Sequence, residues 1–239
     1  MNYRKLWLMT AVMVCTAVSG QTQTEIPSFL SKDEAPNALL YVPAPHSLTS
    51  PEYLNDVYYY QWGKLQRNDS VVAAQAASDE LARLSIVFSG TVGFTISPEA
   101  TPEIYKLAEG VKKEAEGVNG KIKKHYQRKR PFVQFNEPTL VAQYDSIAAF
   151  SYSYPSGHAT RGWAYAMALA AVVPDSTGAL MARARQYAVN RLICGRHYKS
   201  DIDASLMVSS ALFARLLSSE AFQQQLAKAR REYAEMRKE

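Results

Sequence analysis

Apolar residues recur at helical spacing along most of the chain after residue 50. In the segments from Pro51 to Arg67 and from Thr101 to Tyr126 they return every three or four positions, as at Ile104, Leu107 and Val111. This spacing places apolar side chains on one face of an α-helix. No stretch alternates apolar and polar residues for long enough to predict a β-strand. We therefore predict an all-α, single-domain helical bundle.

Capping and breaking residues divide this pattern into separate helices. Thr101 is predicted to cap a helix that has Pro102 at its first position and Glu103 near the positive end of its dipole. Pro131 is predicted to end that helix at about Arg130, because proline cannot continue it. Further helical segments are predicted at 71–88, 157–173, 176–194 with Gly195 as the C-terminal stop, 201–217 and 220–238.

The first 20 residues have the layout of a secretory signal peptide. Arg4 and Lys5 precede an apolar run from Leu6 to Val18, and the small residues Ser19 and Gly20 follow. The run is too short for an ordinary membrane span, and no later segment is predicted to be one. We expect a signal peptide at 1–20, an extended N-terminal arm at 21–50, a helical domain at 51–239, and a periplasmic or secreted protein.

Composition and charge exclude several classes of protein. Hydrophobic residues make up 47% of the 239 residues, which is enough for a packed core and excludes a disordered chain. The formal net charge of +5 loses two positive charges with the signal peptide, so no nucleic-acid partner is predicted. The two cysteines, Cys15 and Cys194, cannot build a disulfide framework and have no zinc-ligand spacing. The oligomeric state is left open, a homo-oligomer included.

Three clusters carry residues suited to chemistry. The first, from Lys123 to Pro131, contains five Lys or Arg side chains and a histidine. Such a basic run is usually a solvated surface or a nucleic-acid patch. The second contains Ser156, Gly157 and His158 at the start of an apolar helix. Free N–H groups there favour an anion, and a histidine in the first turn could donate a proton; the alternative is an ordinary Ser N-cap with a packed histidine.

The third cluster contains His197 and Asp201, four residues apart, a few residues after Arg191. On a helical turn this spacing brings the carboxylate to one imidazole nitrogen and leaves the other as a nucleophile. The alternative is a surface His/Asp pair. Together, the three clusters supply two histidines, a carboxylate, fixed cations and a helix N-terminus. That set suits phosphoryl transfer without a metal ion.

These motifs resemble those of the acid phosphatase and vanadium haloperoxidase superfamily, also called type 2 phosphatidic acid phosphatase-like, and within it the bacterial class A non-specific acid phosphatases. The shared pattern consists of Lys123 and Arg130-Pro131, then Pro155 to His158, then Arg191, His197 and Asp201. Asn190 stands where the family has serine.

The resemblance implies the family's helical bundle and a metal-independent acid phosphatase that needs no cofactor. It implies that His197 attacks the phosphorus and forms a phosphohistidine, that Asp201 orients His197, and that His158 protonates the leaving alcohol. It also implies a broad range of small phosphomonoester substrates and an acidic to neutral pH optimum. The residues that it assigns to phosphate binding are Lys123, Arg130, Ser156, Gly157 and Arg191.

Three alternatives remain at the level of sequence. A vanadium-dependent haloperoxidase would use the same cationic pocket, although such enzymes are generally longer. A soluble lipid phosphatase would lack the membrane spans of its usual relatives. A non-catalytic phosphate-binding protein would not need His197 or Asp201. For the leaving-group side of the pocket, the candidate segments are Tyr58 to Tyr60 and Phe132 to Phe150, with Arg128-Lys129 a weak candidate for contacts to polyanionic substrates.

Overall fold

The computed structural model describes residues 24–238, so the predicted signal peptide lies outside the described residues. Within that range the chain forms α-helices and no β-strand, which confirms the predicted fold class. No single helix there is long and apolar enough to cross a membrane, and the helices Lys199–Leu216 and Glu220–Met236 meet that condition only as a pair bent by 91°. The α-helices are α1 Pro51–Gln66, α2 Ser70–Leu81, α3 Leu84–Val92, α4 Pro102–Tyr126, α5 Pro131–Phe135, α6 Asp145–Ala149, α7 Gly157–Val172, α8 Thr177–Ile193, α9 Lys199–Leu216 and α10 Glu220–Met236.

Helix α7 lies at the centre of the bundle and packs against α4, α8 and α9. Its alanines at 164, 166 and 168 are fully buried, and such small side chains let the neighbouring helices approach closely. At Gly162 a Cβ atom would lie 2.6 Å from the Tyr187 ring of α8, so any larger residue there would displace that ring. Because His158 is in the first turn of α7, this packing fixes its position.

The segment predicted as one helix at 71–88 is in fact two helices. Ala82 and Arg83 have extended backbone, with ψ of 141° and 144°, and separate α2 from α3. The segment has no proline or glycine, so no local signal marks the break. Leu84 and Phe88 are buried in the core, whereas Leu81 is 56% exposed, which indicates that packing determines the change of direction.

The N-terminus of α4 is capped by a distant residue. Thr101 precedes the helix as predicted, but its side chain makes no capping hydrogen bond; it donates to the carbonyl of Thr95 instead. The free N–H groups of Glu103 and Ile104 donate to the carboxylate of Glu232 in α10, at 3.2 and 2.9 Å. The predicted side-chain cap is therefore wrong, and α10 supplies the negative charge that a helix N-terminus favours.

The predicted end of α4 near Arg130 is also wrong. The helix ends at Tyr126, and Gln127 adopts the left-handed conformation with φ of 48°. Pro131 does not stop α4 but begins α5, where its missing N–H costs nothing. The four residues between the two helices form a non-helical link that carries Arg128 and Arg130 toward the interior of the bundle.

The described part of the N-terminal segment packs on the helical bundle. The Phe29 ring meets that of Phe222 in an edge-to-face contact, with centroids 5.5 Å apart. The Phe29 carbonyl accepts a hydrogen bond from Ser219 at 2.6 Å, and its N–H donates to Glu114 at 2.7 Å. Residues before α1 therefore contribute to the core that holds α4 and α10.

Candidate active site

A cavity of about 350 Å³, here called the phosphate cavity, is bordered by four of the predicted site residues. These are Arg130 from the link before α5, His158 from α7, Arg191 from α8 and His197 from the turn before α9. Side chains that lie far apart in the sequence therefore meet around one space. The site is built where the ends of several helices converge.

The hydrogen bonds of His197 define which of its nitrogens is free to react. Nδ1 lies 3.3 Å from Oδ2 of Asp201, and Nε2 lies 3.0 Å from Nη1 of Arg130. A guanidinium group has only donors, so Nε2 must be the acceptor and the proton of the neutral ring must be on Nδ1. His197 therefore directs a lone pair, on Nε2, toward Arg130.

Asp201 is held as an anion behind His197. It lies in the first turn of α9, and it accepts hydrogen bonds from the Tyr198 N–H at 2.8 Å, from Ser153 at 2.5 Å and from Arg128 at 2.7 Å. Burial raises the pKa of Asp201, but the hydrogen bond from His197 and the charge of Arg128 outweigh it and hold the pKa well below its usual value. His197 lies just before the helix, not within it.

Two further cations of the site, Lys123 and Arg130, come from α4 and from the link that follows it. Burial, with a contribution from the nearby Arg130, lowers the pKa of Lys123 to about 7, and burial lowers that of Arg130 to about 10. The Lys123 ammonium donates to the carbonyl of Tyr152 and does not border the phosphate cavity. Its Cε would lie 3.8 Å from a Cβ atom at Gly157, so Lys123 reaches the start of α7.

Ser156 and Gly157 form the start of α7 but do not border the phosphate cavity. The Ser156 side chain is fully buried and accepts a hydrogen bond from the N–H of Ala159 at 3.3 Å. This is the ordinary N-cap considered from the sequence. Gly157 presents backbone only, and a Cβ there would lie 3.4 Å from the Asn119 amide.

Arg191 is fully buried and already has an anionic partner. Its Nη1 donates to the carboxylate of Glu80, and its Nη2 lies 3.3 Å from the sulfur of Cys194. Its Nε has no hydrogen-bond partner among residues 24–238. Glu80 also lies 3.6 Å from Nε of Arg196, so one internal carboxylate faces two buried arginines at the edge of the cavity.

The surroundings of His158 favour the uncharged form of its imidazole. Burial lowers its pKa well below the usual value, and the charges of Arg191 and Arg161 lower it further. Its side chain borders the phosphate cavity and also a second cavity beside it. It is therefore placed between two spaces, with the cations of the site around it.

Comparison with known proteins agrees with this arrangement. Residues 114–224, which include all the residues assigned to the site from sequence, match the PAP2 superfamily model. A non-specific acid phosphatase of Providencia stuartii is 33% identical over 88% of this chain and 86% of its own length. One of Salmonella typhimurium is 32% identical over 97% and 93%. An acid phosphatase of Zymomonas mobilis is 26% identical over 92% and 84%.

The chain belongs to the PAP2 superfamily. Within it, this phosphatase is of the class A non-specific acid phosphatase type, as the sequence motifs predicted. Small phosphate esters are the substrates that fit such an enzyme. In the described residues 24–238, no group of three or more His, Cys, Asp or Glu side chains is arranged to hold a metal ion.

The structure of the phosphatase bears on two ideas about the substrate contacts, one about Arg128 and one about the aromatic segments. Arg128 is 8% exposed and bonds Asp56 and Asp201, both at 2.7 Å, so it is not available to a polyanionic substrate. Tyr58 to Tyr60 do not border the phosphate cavity, whereas part of the segment from Phe132 to Phe150 does.

Sequence reasoning did not identify Glu80, Ser153 or Arg196 as part of the site. Ser153 and Arg196 lie close to the motifs, but their side chains act through partners from other elements, such as the contact between Arg196 and Asp145 at 3.0 Å. Glu80 lies in a different helix with no recognisable motif. Its position next to the break between α2 and α3 could have indicated a role in the site, but the sequence does not predict that break.

Proposed function

We propose that this phosphatase hydrolyses a broad range of phosphomonoesters without a metal ion, through a phosphohistidine intermediate on His197. The observation that carries the proposal is the pair of contacts made by the His197 ring, Nδ1 to Asp201 and Nε2 to Arg130. A neutral imidazole fixed in this tautomer is a nucleophile directed at the position where an arginine would hold phosphate oxygens.

In the first step, Nε2 of His197 attacks the phosphorus and the bond from phosphorus to the alcohol oxygen breaks. His158 gives its proton to the departing oxygen, so the alcohol leaves neutral. The ring of His197 becomes positively charged on bonding to phosphorus, and the carboxylate of Asp201 stabilises that charge through Nδ1.

In the second step, water attacks the phosphorus of the phosphohistidine. His158, now neutral, accepts a proton from the water, and the electron pair of the N–P bond returns to Nε2. Inorganic phosphate leaves and both histidines regain their starting states. A dianionic phosphate in the cavity offsets the cations around His158, which favours the protonated form that the first step needs.

Fixed cations supply the charge stabilisation that a metal ion provides in other phosphatases. We assign the phosphate oxygens to Arg130 and Arg191, with Lys123 and the start of α7 at Ser156 and Gly157 completing the set. Arginine can hold two oxygens at once, and Arg191 has an Nε without a partner among the described residues. Phosphate would compete with Glu80 for Arg191.

The proposal also includes a wide range of substrates and a location outside the cytoplasm. The names of the Providencia and Salmonella relatives describe non-specific acid phosphatases, which supports a tolerant leaving-group side in this chain. The signal-peptide layout of residues 1–20 supports a periplasmic or secreted enzyme.

Hydrolysis of p-nitrophenyl phosphate in the presence of EDTA tests the mechanism. We expect the parent to keep its activity with the chelator, and His197→Ala to lose roughly 10³-fold or more in kcat. Asp201→Asn should lose roughly 10²-fold to 10⁴-fold because the tautomer is no longer fixed. The matched controls are His125→Ala and Asp203→Asn, both exposed, which should stay within about twofold of the parent.

Chemical quench with a ³²P-labelled substrate tests the intermediate directly. An acid-labile, base-stable phosphoenzyme should form in the parent and be absent in His197→Ala. Activity that survives His197→Ala, or that disappears with EDTA, would overturn the proposal.

A further inference from the structure

A second cavity, of about 250 Å³, lies next to the phosphate cavity, and we call it the basic cavity. Three cationic side chains from three separate elements border it: Arg83 from the α2–α3 break, Lys112 from α4 and Arg161 from α7. We propose that the basic cavity is a leaving-group subsite that favours phosphomonoesters whose alcohol carries a second phosphate group. This inference rests on the proposed function and specifies its substrate class.

The position of His158 connects the basic cavity to the reaction. His158 borders both cavities, whereas His197 borders the phosphate cavity and not the basic one. In phosphoryl transfer the nucleophile and the leaving oxygen are in line, on opposite sides of the phosphorus. An alcohol that leaves beside His158 and opposite His197 therefore extends toward the basic cavity.

The balance of charge around the basic cavity favours an anion. Two acids also border it, and each pairs with one cation: Glu109 with Lys112, and Glu116 with Arg161 at 2.9 Å. Arg83 is exposed and has no carboxylate within 4.0 Å among residues 24–238. The cations that border the cavity therefore exceed the acids by one, and the cation without a carboxylate partner, Arg83, is exposed to solvent.

The cations of the basic cavity have donors to spare. Arg161 uses one of its five N–H donors, on Glu116, and its side chain is 27% exposed. The Lys112 side chain is 30% exposed. Guanidinium groups hold phosphate oxygens through paired hydrogen bonds, and Arg83 and Arg161 provide two such groups at one cavity.

A second phosphate in this place would also assist the chemistry. Arg161 is one of the charges that lower the pKa of His158, after burial and Arg191. An anion bound to Arg161 offsets that charge and favours the protonated imidazole. Binding of the leaving group and protonation of its oxygen are thereby coupled through one arginine.

Two substrates that differ only in the tail test the subsite. They are 3-hydroxypropyl phosphate, with a neutral tail, and 3-phosphonopropyl phosphate, whose phosphonate carries the charge of a phosphate but cannot be hydrolysed. We expect kcat/KM to be about tenfold higher for the phosphonate at low ionic strength, and this ratio to shrink as NaCl is added. 3-Carboxypropyl phosphate, whose tail has one negative charge, should give an intermediate ratio.

Variants identify the residues responsible. Arg83→Gln and Arg161→Gln should each lower the ratio of the two kcat/KM values by roughly threefold to fivefold, in keeping with the loss of one exposed and one partly exposed charge. Glu116→Gln should raise the ratio, because it frees Arg161, and a gain cannot result from poor folding. Lys113→Gln, an exposed neighbour of Lys112 that does not border the cavity, should leave the ratio unchanged.

The outcomes separate this inference from the proposed function. If the neutral-tailed ester is not hydrolysed at all, the proposed function fails. If it is hydrolysed but the phosphonate gives no advantage, or if the advantage persists in the Arg83→Gln/Arg161→Gln double variant, the subsite is overturned while the phosphatase mechanism stands.

Discussion

At the scale of single residues, the surroundings of the two site histidines shift the pH range in which the enzyme is active. Burial and nearby cations lower the pKa of both His197 and His158. His197 therefore keeps its reactive lone pair down to acidic pH. His158 loses its proton earlier than an ordinary histidine as the pH rises. Both effects move the active range toward acid.

The pH profile of kcat/KM should therefore fall on its alkaline side as His158 loses its proton. Arg161→Gln removes one of the charges that lower the pKa of His158, so this alkaline limb should move to higher pH. The measurement is a profile for a neutral-tailed substrate such as 3-hydroxypropyl phosphate. Arg185→Gln, an exposed arginine of α8 that does not border either cavity, is the matched control.

The outcome that would contradict this prediction is an activity that rises steadily through alkaline pH. An alkaline limb that moves equally in Arg161→Gln and Arg185→Gln would show that general surface charge, not a specific neighbour of His158, determines its position.

The residues of the candidate site could be proposed at this scale because those within each motif are close in sequence, although the motifs themselves lie far apart along the chain. The spacing of His197 and Asp201 and the run from Ser156 to His158 contain the geometry locally. Glu80 and Arg83 were not predictable, because they reach the site through the packing of α2 and α3. No spacing within their own segment indicates which residues they face.

At the scale of helices, α1 packs closely on the C-terminal turn of α8, the turn that carries Arg191. Gly63 of α1 is buried against the backbone carbonyl of Leu192, and a Cβ atom there would collide with it. The neighbouring atom is backbone and cannot rotate away. The absence of a side chain at residue 63 therefore determines how near α1 comes to the site.

Gly63→Ala should lower the free energy of unfolding by about 1–3 kcal/mol, the usual cost of forcing extra volume into a packed interior. It should also lower kcat/KM, because α8 must shift and Arg191 shifts with it. Urea denaturation and steady-state kinetics provide the two measurements. Gly117→Ala in α4, where nothing lies within 4 Å of the added methyl group, should instead stabilise by about 0.5–1 kcal/mol.

A Gly63→Ala protein as stable and active as the parent would show that α1 and α8 can separate without affecting the site.

The helices themselves were largely predictable, since their apolar spacing is strong. Their ends were less so: the break after α2 and the capping of α4 by Glu232 depend on elements that are distant in sequence.

At the scale of the whole molecule, the segment before α1 packs on α4 and α10. Phe29 is 4% exposed and lies in the same hydrophobic cluster as Phe222. Sequence patterns in this region were too irregular to predict that contact. The Pro, Ser and Thr content predicted an extended arm. It did not indicate that Phe29 of this arm packs into the hydrophobic core.

Phe29→Ala should lower the free energy of unfolding by about 3–5 kcal/mol, because it removes a large buried ring. The catalytic constants of the protein that remains folded at low temperature should stay within about twofold of the parent, since Phe29 does not border either cavity. Leu40→Ala is the control: Leu40 is in the same segment and 83% exposed, so the change should cost less than about 0.5 kcal/mol. Equal effects of the two substitutions would show that the segment does not support the bundle.

The single cysteine of residues 24–238 has a practical consequence for such measurements. Cys194 is fully buried beside Arg191, and burial raises the pKa of its thiol. Because the thiolate is the reactive form, alkylating reagents can modify this sulfur only after the surrounding helices have opened. The rate of labelling at Cys194 therefore reports the opening of the catalytic region, and the enzyme carries its own probe of that event without any engineered site.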